Sequence, residues 1–253
     1  MADDRAVPDA RPRTRRRRAV DAVTGRLFKL PLGRRDYAVA EAVRVPMRDG
    51  VDLLADVFTP TGTDPRGTLL IRTPYGRSSL IAALTARSYA AHGYLVVNQS
   101  CRGTFGSGGD LEPFIHEIDD GADTVAWLRE QPWFQGRFAI CGASYLGFAA
   151  WAVLMDPPPE LVCAVIAVTA HDNHWVAHGA GAFSLEQMLS LMDAFGHLEE
   201  GLPRGIVRTV TAARRLRPGF DELPLVRAQD TVLGGSGLPY RDWLSTPDAD
   251  DPL

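Results

Sequence analysis

Residues 137–154 read as an apolar strand, a Gly-x-Ser-x-Gly turn and an apolar helix, with nothing between them. The segment is Arg137-Phe138-Ala139-Ile140-Cys141-Gly142-Ala143-Ser144-Tyr145-Leu146-Gly147, continued by Phe148, Ala149, Trp151, Ala152, Val153 and Leu154. Such an order forces a sharp strand-to-helix turn at Ser144, where the serine hydroxyl stands clear of a sheet. The turn crowds its own backbone, so Gly142 and Gly147 flank Ser144 where a Cβ would clash. Ser144 is therefore a candidate nucleophile. The backbone N–H of Tyr145, the next residue, points to where an oxyanion would form. The pentapeptide alone is common by chance, and the flanking strand and helix give it weight. The alternative is a small-residue turn that only packs helix against sheet.

Composition narrows the setting. The 253 residues are enough for one large α/β domain or a domain with an insertion. A hydrophobic content of 45% and a net charge of −4 describe an ordinary globular chain and argue for neither nucleic acid nor membrane as partner. Cys101, Cys141 and Cys163 are widely spaced and odd in number, as expected of reduced thiols in a cytoplasmic protein. No cofactor and no metal are expected. The cluster Arg11, Arg13, Arg15, Arg16, Arg17 and Arg18 invites a twin-arginine export reading, but Asp21, Arg26 and Lys29 interrupt the segment behind it. A disordered, solvated arm over residues 1–18 is the expectation, with a short amphipathic helix over 19–30 completing an N-terminal region of residues 1–36.

Along the rest of the chain the pattern alternates. Tyr37 to Val45 and Val51 to Phe58 read as a hairpin turned at Asp49-Gly50. Buried strands are predicted at Thr68 to Arg72, Tyr94 to Val97 and Leu161 to Val168. Helices are predicted over Ser78 to His92 and Glu117 to Gln131, with a Gly-rich loop at 100–113. Strand–helix alternation from about 68 to 168 implies a mostly parallel sheet with helices on both faces. Beyond Thr169 the alternation stops, and helices at 184–200 and 203–216 suggest a helical cap, residues 171–253, over the C-terminal edge of a core at 37–170.

Taken together, several motifs resemble the CocE/NonD hydrolases, the Xaa-Pro dipeptidyl-peptidase-like group of α/β-hydrolases. They are Val45-Pro46-Met47-Arg48-Asp49-Gly50-Val51 with Leu54-Ala55-Asp56-Val57, Arg72-Thr73-Pro74-Tyr75-Gly76, and Cys101-Arg102-Gly103-Thr104-Phe105-Gly106-Ser107-Gly108-Gly109. Glu117-Ile118-Asp119-Asp120-Gly121, Trp127-Leu128, Gln131-Pro132-Trp133 and the Ser144 turn follow in the same order. The resemblance implies an α/β-hydrolase-like sheet with a helical cap and serine-dependent hydrolysis of an ester or amide in a small acyl compound or short peptide. It implies that Tyr75, after the third strand, donates its hydroxyl to the oxyanion. A loop at that strand's C-terminal end, beside the Ser144 strand, is also where a second donor must come from on physical grounds. Losing one such donor typically costs ~10²–10³ in turnover. The alternative for Tyr75 is a packing residue in a Pro-Tyr-Gly turn.

Departures from the family pattern set further expectations. Ser100 stands where the family commonly has an Asp before Arg102, so the loop that Arg102 organises is expected to be looser. The resemblance puts the catalytic acid and histidine after the cap, and a jelly-roll domain after that. The chain is therefore expected to lack its last core strands, its jelly roll and its general base. His171, His174, His178 and His197 follow Ser144, and Asp172 lies beside them. No later core strand is predicted to bring any of them to the serine, and His171-x-x-His174 lacks a third metal ligand. His92 and His116 precede the serine and read as helix-end and loop residues. Trp151, Trp175, Phe183 and Met188 could line an apolar pocket or simply be core. The rival to an active hydrolase is a non-catalytic fragment or one half of a split enzyme, with self-association or a complementing C-terminal half as its partner.

Overall fold

The computed structural model describes residues 7–29, 33, 35–179, 181–234 and 238–246. They divide into two compact units, Met1–Asp110 with Ile115–Thr169, and Leu111–Phe114 with Ala170–Leu253.

The first unit is built on a sheet of seven strands. They are β1 (Arg11–Pro12), β2 (Tyr37–Pro46), β3 (Asp52–Pro60), β4 (Thr68–Thr73), β5 (Leu95–Ser100), β6 (Phe138–Ala143) and β7 (Leu161–Ala167). Their order is β1-β2-β3-β5-β4-β6-β7. The β2–β3 hairpin turns at Gly50, whose φ of 85° suits only a residue without a Cβ. β3 meets β5 antiparallel, while β4, β5, β6 and β7 pair parallel. The crossovers are α2 (Leu80–Ala91), α3 (Glu117–Arg129) and α4 (Tyr145–Leu154).

Alternation within the strands explains why helices cover both faces. Leu70, Val97 and Ile140 join Val125, Leu128, Ala150 and Val153 in a core beneath α3 and α4. Leu69, Ile71 and Val96 join Ala86 and Ala90 of α2 on the other face. All six residues of β4 are buried, which is why it reads as an unbroken run with no polar alternation. Each such Leu, Ile or Val contributes roughly 1.5–3 kcal/mol by leaving water.

The N-terminal region differs from expectation. Arg11–Pro12 pairs with β2, and α1 runs over Arg15–Leu27, so part of the presumed arm is ordered. Thr14 caps the helix by accepting from the Arg17 N–H at 3.2 Å. The helix docks through its charged side. Asp21 accepts from Tyr37 at 2.7 Å and from Arg13 at 3.0 Å, Arg17 pairs with Glu41, and Arg18 pairs with Asp36. Carboxylates distant in sequence neutralise arginines that would otherwise repel one another. Val20, Val23 and Leu27 face solvent instead. Residues 1–6 lie outside the described residues.

The second unit is helical: α5 (Asn173–His178), α6 (Leu185–Phe195), α7 (Leu202–Phe220), α8 (Ala228–Val232) and α9 (Tyr240–Ser245). Met188, Leu189, Met192, Phe195, Leu216, Tyr240 and Trp243 are buried, and Phe114 packs on Phe195 and Trp243. Asp193 is clamped by Arg215 and Arg208, each at 2.6 Å. α7 extends past the expected stop through Pro218, and buried Leu216 and Gly219 anchor its last turn.

Candidate active site

Ser144 sits between the end of β6 and the start of α4 with φ 58° and ψ −130°. A non-glycine residue in that region costs roughly 1–3 kcal/mol and persists only where its surroundings over-determine it. Here they do. The Ser144 N–H donates to the Ala167 and Val168 carbonyls at 3.0 and 3.1 Å, and its own carbonyl accepts from Gly147 at 2.9 Å. A Cβ on Gly142 would lie 2.2 Å from the Leu146 carbonyl carbon, and one on Gly147 would lie 2.7 Å from Thr169 Cγ2. The glycines thus have the steric role expected of them, and the Ser144 side chain is exposed.

Tyr75 arrives from the neighbouring strand. β4 and β6 run parallel in register, Leu70 opposite Ile140, so the loops leaving their C-terminal ends lie side by side. Thr73 Oγ1 accepts from the Tyr75 N–H at 3.1 Å. Gly76, at φ 88°, lets the chain turn against the Phe105 ring, which would sit 2.7 Å from an added Cβ. The result places Tyr75 Oη 3.3 Å from Ser144 Oγ. Tyr145 opens α4, so its N–H lies at the positive end of that helix. The structure therefore brings Ser144, Tyr75 and Tyr145 together.

Beneath them lies a polar network that sequence reasoning missed. Arg72 is fully buried and pairs with Glu117 Oε2 at 2.8 Å. Its Nη1 donates to the Glu117 carbonyl at 2.8 Å, and its Nε donates to Gln99 at 2.9 Å. The Tyr145 hydroxyl donates to Glu117 Oε1 at 2.9 Å. Burial opposes the Arg72 charge, but Glu117, with Asp120 behind it, outweighs burial and raises the guanidinium pKa. Burial, reinforced by Glu117, pushes the Cys101 thiol well up. The signal available was Arg72 itself, a charge directly after the apolar run Leu69-Leu70-Ile71.

The loop around Arg102 corrects an expectation. Arg102 forks onto Asp120 at 2.5 and 3.1 Å and reaches Asp49 at 2.7 Å. Its hydrogen bonds to the Asp120 carboxylate outweigh burial and raise the Arg102 pKa. Asp120 thus supplies a carboxylate for the loop, and Ser100 accepts from Arg77 at 3.3 Å. The loop is not left without an anion.

The remaining candidates are placed elsewhere. His171, His174, His178 and His197 belong to the second unit with Asp172, which caps α5 by accepting from Trp175 at 2.8 Å. His178 Nε2 is 2.8 Å from the Trp243 carbonyl, and His197 Nδ1 is 2.8 Å from that of Asp193. His92 bonds to the Ser88 carbonyl, and His116 immediately precedes α3. Within the first unit, the described partner of Ser144 Oγ is Tyr75. Trp151 lies in the first unit. Trp175, Phe183 and Met188 lie in the second, where Met188 is buried and Trp175 is 68% exposed. Among the described residues no group of His, Cys, Asp and Glu is arranged to hold a metal ion, and no helix is long and apolar enough to cross a membrane.

Residues 49–250 match the model of the X-Pro dipeptidyl-peptidase (S15) family. The chain belongs to that family. It is 31% identical over 225 residues to cocaine esterase of Rhodococcus sp. (strain MB1 Bresler), covering 86% of this chain and 36% of that protein. The chain thus spans little more than a third of that relative's length. Among solved structures, an aminopeptidase from a marine sediment Thaumarchaeota archaeon is 27% identical with a TM-score of 0.54, covering 63% of this chain and 30% of that one. A CocE/NonD family hydrolase of Staphylococcus aureus is 25% identical with a TM-score of 0.45, covering 51% and 27%. The fold is α/β-hydrolase-like, as the motif order implied.

Proposed function

We propose that this chain carries the nucleophile and oxyanion hole of a serine hydrolase acting on ester or amide bonds of small acyl compounds or short peptides. Ser144 Oγ attacks the carbonyl carbon. The Tyr145 N–H and the Tyr75 hydroxyl receive the oxygen as it gains charge. A base takes the Ser144 proton and returns it to the leaving group. The observation that carries this reading is the 3.3 Å approach of Tyr75 Oη to Ser144 Oγ at a serine held in the strained turn. On this reading an oxygen at Ser144 is received between that hydroxyl and the first N–H of α4. The family membership and the esterase and aminopeptidase relatives support the same class of bond.

A second reading is favoured by one feature of the first unit: Ser144 Oγ meets a phenol there, with no imidazole described beside it. On that reading the chain is non-catalytic by itself, and a complementing half supplies the base. Turnover of a p-nitrophenyl ester by the wild type and by Ser144→Ala separates the two. A large Ser144-dependent rate supports the hydrolase. Alanine replacement of His171, His174, His178 and His197 in turn then locates the base. Equal rates, near the ~10³–10⁴ acceleration left to a hydrolase that has lost a triad member, support the split enzyme.

A further inference from the structure

Glu117 stands where the two arms of the site meet. One of its carboxylate oxygens accepts from the Tyr145 hydroxyl at 2.9 Å, and the other lies 2.8 Å from Arg72 Nη2. Tyr145 is the residue whose backbone N–H follows the nucleophile. Arg72 is the penultimate residue of β4, and Thr73 and Pro74 alone separate it from Tyr75. Arg72, Glu117 and Tyr145 are each at most 3% exposed. A charge this deep is held in one geometry by its partners, because losing a partner would strand the other charge in a low dielectric. The Arg72 hydrogen bond to the Glu117 backbone carbonyl ties the main chain at the start of α3 into the same arrangement.

Resting on the hydrolase reading, we propose that Glu117 is a positioning residue for the oxyanion hole. Through Tyr145 it sets the first residue of α4, and through Arg72 it sets the strand that delivers Tyr75. The spacing of the two oxyanion donors is then fixed from below by one carboxylate. A displacement near 1 Å at a reacting centre can cost about 10²-fold in rate, so such a brace bears on turnover without touching substrate.

Tyr145→Phe is the sharpest probe, since it deletes the hydroxyl while leaving the backbone N–H and the buried charges. The measurements are kcat and KM for a p-nitrophenyl ester, the thermal midpoint, and the Tyr75 Oη–Ser144 Oγ separation in a crystal structure of the variant. The expected result is a folded protein with kcat reduced about 10- to 10²-fold, KM unchanged, and a separation that departs from that of the wild-type crystal. Glu117→Gln, which keeps an acceptor for the phenol, should retain more activity than Glu117→Ala. A Tyr145→Phe protein with wild-type kcat and an unchanged separation overturns the proposal, whatever its thermal midpoint. If wild-type turnover does not depend on Ser144, the hydrolase reading fails separately. The separation in Tyr145→Phe then decides alone, and an unchanged value overturns the positioning role.

Discussion

Ser144 is legible in the sequence because its strain needs help from particular neighbours. Gly142 and Gly147 are conspicuous where any side chain would strike the Leu146 backbone or Thr169. Gly142→Ala should therefore be costly. Its added methyl meets backbone, which cannot swing away, and overpacking of this kind typically costs about 1–3 kcal/mol or more. Chemical denaturation should show a lower midpoint for this variant, and a wild-type midpoint would mean that the turn is not tight. Tyr75 makes a different prediction. Tyr75→Phe removes only a hydroxyl, so stability should hold while any Ser144-dependent turnover falls ~10²–10³-fold. A fall of less than twofold would leave Tyr75 a packing residue. The Arg72–Glu117–Tyr145 brace was not legible. Its members lie 45 and 28 positions apart in the chain, and Arg72, a charge in a strand that otherwise reads as core, is the local sign that names no partner. Only the topology, which sets α3 beside α4 and β4 beside β6, brings them together.

At the scale of elements, β4 and β5 were readable because a strand covered on both faces opens as a continuous apolar run, Leu69-Leu70-Ile71 and Leu95-Val96-Val97 here. Helix α1 was not, because the carboxylates that anchor it come from other segments: Asp36 and Glu41 lie 18 and 24 residues from the arginines they pair with. Local composition shows only the repulsion among arginines. β7 carries a consequence of its own. Its apolar run predicts a buried strand, yet none of its residues is buried: it pairs with β6, and Val162 and Val165 are 65% and 56% exposed on a strand with neither charge nor proline. Open apolar strands of this kind pair with other chains. Size-exclusion chromatography should show a species that grows with concentration. The exposed Cys163 should lose reactivity toward a thiol reagent over the same range, while buried Cys101 and Cys141 stay unreactive throughout. Burial holds the Cys141 thiol up at about 11, which adds to its protection. A monodisperse monomer with Cys163 freely reactive at every concentration would remove the edge argument.

The whole molecule comprises an α/β unit that carries the serine and a helical unit. In the helical unit, burial pushes the Asp193 pKa up, but hydrogen bonds from Arg215 and Arg208 more than offset it, and the carboxyl ends below the usual aspartate value. A carboxyl depressed in the folded state stabilises above its unfolded pKa, and that stability is lost as pH falls through the folded pKa. Asp193→Asn should therefore lower the thermal midpoint clearly at neutral pH, and the gap to wild type should close below the ordinary aspartate range. A gap independent of pH would mean that the clamp acts through packing and not through charge. For the proposed serine hydrolase activity, the most direct measurement is mass-spectrometric mapping after prolonged incubation with a fluorophosphonate, which phosphonylates nucleophilic serines. The account predicts one adduct, on the peptide containing Ser144, absent from Ser144→Ala and slower to form in Tyr75→Phe. An adduct on another residue, or none at all, would contradict it.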